Sequence, residues 1–241
     1  MAHFTDEYLK IPENHWWYVT RNEIIYLLIV KYSNSDNPCV IDVGCGCGFL
    51  VKYLHKKGIK VKGVDSNRSF VEYAAKLGVD IDVGDIEKGI KTYNKYDVVI
   101  LSDVVEHTDT PNTIIRNALL LLKENGICIV FVPAFMFLWS WHDVINFHKK
   151  RYTLCELERL LVSQGLDVVF SSYWNFFSFF PTFIVRIFKK VLGIKTPDFY
   201  SFSPFLNSFI IFLLRFENLL IKKGFKMPFG VSAFCVGVKN Q

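Results

Sequence analysis

The apolar positions of this chain fall into short, Val- and Ile-rich runs separated by stretches of helical period. Runs at 39–43, 60–64, 79–83, 96–101 and 127–132 have the look of strands buried on both faces of a parallel sheet, which show little polar alternation. Between them, 49–57, 66–77 and 112–123 carry apolar residues at helical spacing, so strand and helix alternate. A helix running to about Lys31 precedes the first strand, and a helix at 153–164 leads to a sixth strand at 166–171 and a seventh at 231–238. The pattern predicts an α/β fold, doubly wound, with helices on both faces of a seven-stranded sheet. At 241 residues the chain is expected to form one domain, 1–241.

The polar residues that interrupt this pattern cluster at strand ends. The first strand carries Asp42 and runs into Gly44, Gly46 and Gly48. Glycines there let the backbone turn tightly and approach a ligand, and the following helix offers unpaired N–H groups. A dinucleotide loop reads Gly-x-Gly-x-x-Gly; here the third glycine comes one residue early, and Asp42 would repel a phosphate. The second strand closes on Asp65, an acid about 20 residues past the loop, where ribose hydroxyls are held in related folds. Gly84, Asp85 and Ile86 follow the third strand, and Ser102, Asp103, Glu106 and His107 follow the fourth.

The motif acid-x-Gly-x-Gly-x-Gly, with those acids in that order, resembles the class I S-adenosylmethionine-dependent methyltransferases. The resemblance implies a Rossmann-like sheet whose seventh strand is antiparallel, and S-adenosyl-L-methionine as cofactor. It places Asp42, Gly44, Cys45 and Gly46 at the methionine end and Asp65 and Ser66 at the ribose. Asp85 and Ile86 fall at the adenine, and Asp103 under the sulfonium. Arg21 is expected to pair with the methionine carboxylate or an acceptor anion. Cys47 stands where the family usually has Thr or Ser.

Composition changes the picture in one region. Residues 176–229 hold 14 of the 23 phenylalanines, and 176–226 contains eight Lys or Arg against Asp198 and Glu217, a net +6 in a chain of net +5. The segment 176–228 reads as a hydrophobic, basic helical insertion between strands six and seven. Its apolar runs are interrupted by Pro181, Arg186 and Arg215, and each is shorter than the roughly 20 residues of a spanning helix. Basic ends on apolar helices suit a peripheral contact with anionic lipid; a dimer interface or a lid on the sheet is the competing reading. Nucleic acid is not expected, because such surfaces mix basic groups with polar residues and a few stacking aromatics.

Six cysteines without Cys-x-x-Cys or zinc spacing read as reduced thiols. With no signal-like start, the expectation is a cytoplasmic protein, peripheral at the inner membrane face, and no metal is expected.

Two stretches face the acceptor on this reading. Residues 1–37 read as an aromatic cap, with Glu13 to Arg21 (Glu-Asn-His-Trp-Trp-Tyr-Val-Thr-Arg) ahead of the first helix. After strand five come Leu138-Trp139-Ser140-Trp141-His142-Asp143 and His148-Lys149-Lys150-Arg151-Tyr152. Together they resemble the type 11 or 12 methyltransferases. Methyl transfer to oxygen requires loss of a proton, for which His148 is the first candidate base and His142 the second, with Asp143 orienting either ring. The expected activity is O-methylation of a small, lipid-linked or isoprenoid acceptor. An NAD-dependent oxidoreductase and a non-catalytic cofactor-binding partner subunit remain the alternatives.

Overall fold

The computed structural model describes residues 11–90, 92, 95–196, 198 and 202–240. The first ten residues of the expected cap lie outside them. Seven strands, β1 Cys39–Val43, β2 Lys60–Asp65, β3 Ile81–Val83, β4 Tyr96–Ser102, β5 Leu122–Pro133, β6 Leu166–Trp174 and β7 Ser232–Lys239, form one sheet in the order β3-β2-β1-β4-β5-β7-β6. All neighbouring pairs are parallel except those of β7, which runs antiparallel between β5 and β6. The fold is the doubly wound one expected.

Each strand buries alternate side chains on opposite faces, which yields two cores. On one face Ile41, Val43, Val99, Leu101, Val130 and Val132 pack against α4 (Pro111–Leu121) and α6 (Leu154–Ser163). On the other, Val40, Val98, Ile100, Ile129, Phe131 and Phe234 pack against α1 (Trp16–Tyr32), α2 (Phe49–Lys56) and α3 (Arg68–Lys76). The short helix α5 (Trp141–Ile145) lies in the loop after β5.

Three expectations change. The aromatic stretch of residues 13–21 does not precede the first helix: α1 begins at Trp16, because His15 caps it by accepting from the Trp17 N–H at 3.3 Å. The helix expected to reach residue 123 ends at Leu121, where Leu122 turns extended and pairs with Tyr96 in β4. The third strand keeps only Ile81–Val83, since residues 79 and 80 belong to the turn that leaves α3.

The insertion forms two helices, α7 (Phe179–Val191) and α8 (Pro204–Lys222). Arg215 interrupts an apolar run without ending the helix, so α8 is 19 residues long. Among the described residues it is the one helix long and apolar enough, by length and composition, to cross a membrane. It nevertheless docks on the domain, through Leu214, Glu217, Asn218 and Ile221, a stripe at helical spacing that is half polar. Asn218 accepts from Trp174 Nε1 at 2.9 Å and donates to the Thr20 carbonyl at 3.0 Å. Glu217 accepts from the Asn175 and Phe176 N–H groups at 2.7 and 3.0 Å, and Arg215 pairs with Glu23 on α1 at 2.5 Å.

Removing the Asn218 amide strands a buried indole N–H and takes a second bond from the helical Thr20 carbonyl. Asn218→Ala is expected to lower unfolding stability by about 1 to 3 kcal/mol, mostly from the stranded indole. Urea denaturation checks this, and a loss under about 0.5 kcal/mol, the scale of an ordinary surface substitution, would mean that α8 does not depend on this contact.

Candidate functional site

β1 and β4 lie side by side where the strand order reverses, and ligands of open α/β sheets sit in the crevice at such a point. The loops leaving the carboxyl ends of β1, β2 and β4 wall that crevice here. Gly44 has φ +74, and a Cβ there would lie 2.5 Å from Val104 Cγ2, so only glycine lets the loop after β1 pass under the chain after β4. Gly46 adopts φ +55, and its N–H donates to Asp65 Oδ2 at 2.8 Å. The other oxygen, Oδ1, accepts from the Asn67 N–H, also at 2.8 Å. One carboxylate at the end of β2 therefore fixes both loops.

The remaining predicted residues come together around one cavity of about 1220 Å³. Asp42, Gly44, Cys45, Gly46, Asp65, Ser66, Asp85, Ile86 and Asp103 all line it. Asp85 also caps its own turn, accepting from the Glu87 N–H at 3.0 Å, while buried Ile86 anchors the loop through its carbonyl to Asn117 Nδ2 at 2.6 Å. Cys45 and Cys47 are small fillers of a cramped turn: burial raises both thiols, Cys47 to about 12, which leaves them unreactive.

Charge explains what the crevice accepts. Asp42 is buried beside Asp65, and desolvation together with that neighbouring charge raises it to about 7. Neither residue forms an ion pair among the described residues, and Asp65 is itself raised by burial. A diphosphate would meet three carboxylates, counting Asp103. A ligand bearing a cationic ammonium and a sulfonium supplies the positive charge this wall lacks, so the residues fit S-adenosylmethionine.

Arg21 enters the same cavity from α1. Its guanidinium lies 4.3 to 4.5 Å from the ring centroids of Trp17, Phe131 and Trp174. Nη2 donates to Ser232 Oγ at 3.0 Å and Nη1 lies 3.6 Å from Asp103, while Nε and Nη1 have no hydrogen-bond partner. The Arg21 side chain can thus donate to an incoming carboxylate.

The stretch after β5 divides its two histidines. His148 Nδ1 lies 2.9 Å from Asp143 Oδ1, which also accepts from Arg151 Nε at 2.7 Å. Those partners hold the buried Asp143 carboxyl well below the usual range despite its burial. His142 faces another way: its Nε2 meets Asn146 Nδ2 at 2.8 Å and its Nδ1 accepts from the Asp198 N–H at 3.4 Å. Burial pushes it down to about 3, so at neutral pH it is an uncharged link between α5 and the insertion. Asp143 orients His148 and not His142.

Glu106 stands just past the fourth strand. It lies in a one-turn 3-10 helix, Val105–His107, fully buried, and neither carboxylate oxygen has a hydrogen-bond partner among the described side chains, although Arg21 and Arg151 are near enough to favour its charge. It lines the cavity beside His107 and His148. Asn175, also on that wall and with φ +66, was missed entirely; its position just after a strand was the only signal.

Fold and site together have the form of the class I S-adenosylmethionine-dependent methyltransferases. The chain belongs to the family described as methionine biosynthesis protein MetW, whose model matches residues 24–158. Among curated proteins it is 32% identical over 110 residues to a ubiquinone biosynthesis O-methyltransferase of Pelagibacter ubique, covering 42% of this chain and 45% of that one. It is 32% identical over 137 residues to the protein of that name from Rickettsia canadensis, covering 54% and 52%. The chain thus spans about half the length of these relatives. Among solved structures, a putative sarcosine dimethylglycine methyltransferase from Galdieria sulphuraria superposes with TM-score 0.62 at 12% identity, over 92% of this chain and 86% of the other. The plantazolicin methyltransferase BamL, solved with SAH, gives 0.58 at 16% identity, over 92% and 86%. At those identities the structures speak for the fold.

The raised Asp42 has a measurable signature. The ligand-free folded protein holds a proton that the unfolded chain releases near pH 4, so stability falls as pH rises from about 4 to about 7, by about 3 to 4 kcal/mol from this group. Asp42→Asn is expected to remove that slope in denaturation at pH 5 and pH 8, and to weaken S-adenosylhomocysteine binding. An unchanged slope would remove Asp42 as its source.

Proposed function

We propose that the protein methylates an oxygen of an apolar acceptor, isoprenoid or lipid-linked, at a membrane face. One observation carries the reading: a single cavity joins the acidic glycine loop to an apolar wall built by α7 and α8, including Pro181, Val185, Leu206, Phe209 and Leu213, and by Phe177 just ahead of α7. A polar acceptor would leave that wall facing water. The relatives named as ubiquinone biosynthesis O-methyltransferases support an oxygen as the methylated atom.

When bound, S-adenosylmethionine supplies an activated methyl on a positively charged sulfur whose departure needs no proton. The protein's part is alignment and exclusion of water. Asp65 and Asp42 hold the nucleoside and amino acid ends, Arg21 receives the carboxylate, and Trp17 and Tyr18 from α1 close the cavity from above. The acceptor's hydroxyl lies against the wall of Glu106, His107 and His148. There it loses its proton, with His148, its ring held by Asp143, as the first candidate base. Held there, the deprotonated oxygen would be the nucleophile for the methyl group that the cofactor would supply, and this wall would keep it in line.

The outer surface supports the membrane contact. Phe180, Ile184, Phe188 and Val191 on α7 and Phe205, Phe212 and Phe216 on α8 are exposed, Phe205 to 84% and Val191 to 77%. Lys190, Lys195, Lys222, Lys223 and Lys226 are exposed around them, each worth about 1 kcal/mol near anionic lipid. A helix that docks through Glu217 and Asn218 while turning phenylalanines outward is matched to a leaflet surface.

Incubation with methyl-labelled cofactor and a farnesylated catechol is expected to give a labelled ether, with the unprenylated catechol a poorer acceptor. No labelled product from any acceptor in a lipid extract would favour a non-catalytic cofactor-binding protein. In flotation, the intact protein is expected to rise with vesicles containing phosphatidylglycerol, and a Phe205→Ser/Phe212→Ser/Phe216→Ser variant to stay below. A protein that ignores vesicles but sediments as a dimer would assign this face to a second copy.

A further inference from the structure

We infer that Asn175 is a specificity residue of the acceptor site: its side-chain carbonyl accepts a hydrogen bond from a hydroxyl of the acceptor's head group. The inference rests on the proposed apolar oxygen acceptor and deepens it, by stating what the polar end of that acceptor must carry. Asn175 directly follows β6 and lines the cavity together with Arg21, Ser232 and the start of α7. In the sheet order β6 lies beyond β5 and β7, on the far side from β1 and β2, whose loops form the acidic glycine crevice. The residue therefore stands on the acceptor side.

The independent observation is an amide oxygen that nothing uses. Asn175 is 1% exposed, and its Oδ1 has no hydrogen-bond partner among the described residues. Its backbone, by contrast, is fully engaged: the N–H donates to Glu217 Oε1 at 2.7 Å, and the carbonyl accepts from the Val231 N–H at 3.4 Å. A buried carbonyl without a donor is unfavourable, and the large majority of buried polar side-chain atoms have a partner. The left-handed backbone, φ +66, accounts for asparagine at this position, but asparagine in that conformation commonly bonds to its own backbone. Here Oδ1 does not.

The other buried side-chain atoms without a hydrogen bond do not compete for this role. The Arg21 guanidinium stands 3.6 Å from Asp103 and close enough to Glu106 for their charges to favour each other. Asn146 Oδ1 lies off the cavity, and Trp16 Nε1 is a donor. Among the described residues, Asn175 Oδ1 is thus the neutral acceptor on the cavity wall that lacks a donor. The Cβ–Cγ torsion of asparagine is soft, so the amide can turn to a ligand while its backbone stays fixed.

The partner of this carbonyl must bring a hydrogen on oxygen or nitrogen. Beyond Asn175 the chain lines the cavity with Ser178 and Thr182 and then with Val185, so polar gives way to apolar along α7. A head group held at Asn175 leaves the rest of α7 to an apolar tail. A hydroxylated ring fits this arrangement, whereas a quinone-type head, whose oxygens only accept, would set one carbonyl against another. Asn175 therefore favours the reduced, hydroxylated form of an acceptor over its oxidised form.

The test deletes each partner of the hydrogen bond in turn. Calorimetry under saturating S-adenosylhomocysteine compares a farnesylated catechol with farnesylbenzene, which keeps the tail and has no hydroxyl. Asn175→Gly removes the amide at a backbone conformation that glycine adopts readily, and S-adenosylhomocysteine uptake reports that the variant is folded. The substitution is expected to weaken catechol binding about tenfold, the scale of one hydrogen bond, and to leave farnesylbenzene and S-adenosylhomocysteine unaffected. Equal weakening of both farnesylated probes would make Asn175 only a shaper of the loop and overturn the contact, and so would unchanged catechol affinity. The wild type alone gives a second reading: a farnesylated hydroquinone is expected to bind about tenfold more tightly than its quinone, and equal affinities overturn the assignment. If wild-type protein that takes up S-adenosylhomocysteine binds none of the farnesylated probes, the proposed acceptor class falls, and the role of Asn175 with it.

Discussion

The Asp65 carboxylate is the constraint on which the site depends. Its two oxygens each accept a backbone N–H, one from the glycine loop after β1 and one from the turn after β2. Together with the Val64 carbonyl, which accepts from the Gly44 and Cys45 N–H groups at 2.8 and 3.2 Å, this side chain sets their separation and with it the width of the crevice. Among the described residues no cation pairs with the buried Asp65 and Asp42, which makes the crevice selective for a positively charged ligand. The site is thus built at a cost in stability that a ligand offsets.

From there the acceptor side is assembled by elements that pack onto the same end of the sheet. The Arg151 side chain, buried between Asp143 and the Ala134 carbonyl, holds the stretch after β5 against the strand it leaves. Arg186 from α7 reaches across to the Leu138 carbonyl and to Asp198, tying the insertion to that same stretch. The insertion is therefore a wall of the cavity as well as an outer surface. Its two apolar sides, one toward the cavity and one toward the surroundings, account for a phenylalanine content that a soluble cap would not need.

Much of this was legible in the chain itself. Strands buried on both faces leave an unbroken apolar signature, so β1, β2, β4 and β7 were located within a residue or two, and the acids at their ends marked the cofactor side. α8 was misjudged for a physical reason: an apolar run stops at a charged residue, but a helix does not, and Arg215 finds Glu23 on α1. The strand-five boundary moved because the sheet overrode helical preference at Leu122. The character of Glu106 was invisible, because a carboxylate without hydrogen-bond partners is a property of what surrounds it. His107 and His148 are 41 positions apart and meet only because the chain after β4 and the loop beyond β5 rise from adjacent parallel strands.

The position of β7 has a consequence for how the molecule is made. The strand pairs with both β5 and β6, yet it follows both in the sequence, with the two insertion helices in between. As the polypeptide leaves the ribosome, β5 and β6 stay as open edges until β7 has followed them, and the phenylalanine-rich helices emerge during that interval. The nascent chain is therefore most prone to aggregation in the interval before β7 emerges. A nearby bilayer that receives those helices early would shelter the half-built sheet while it waits for its closing strand.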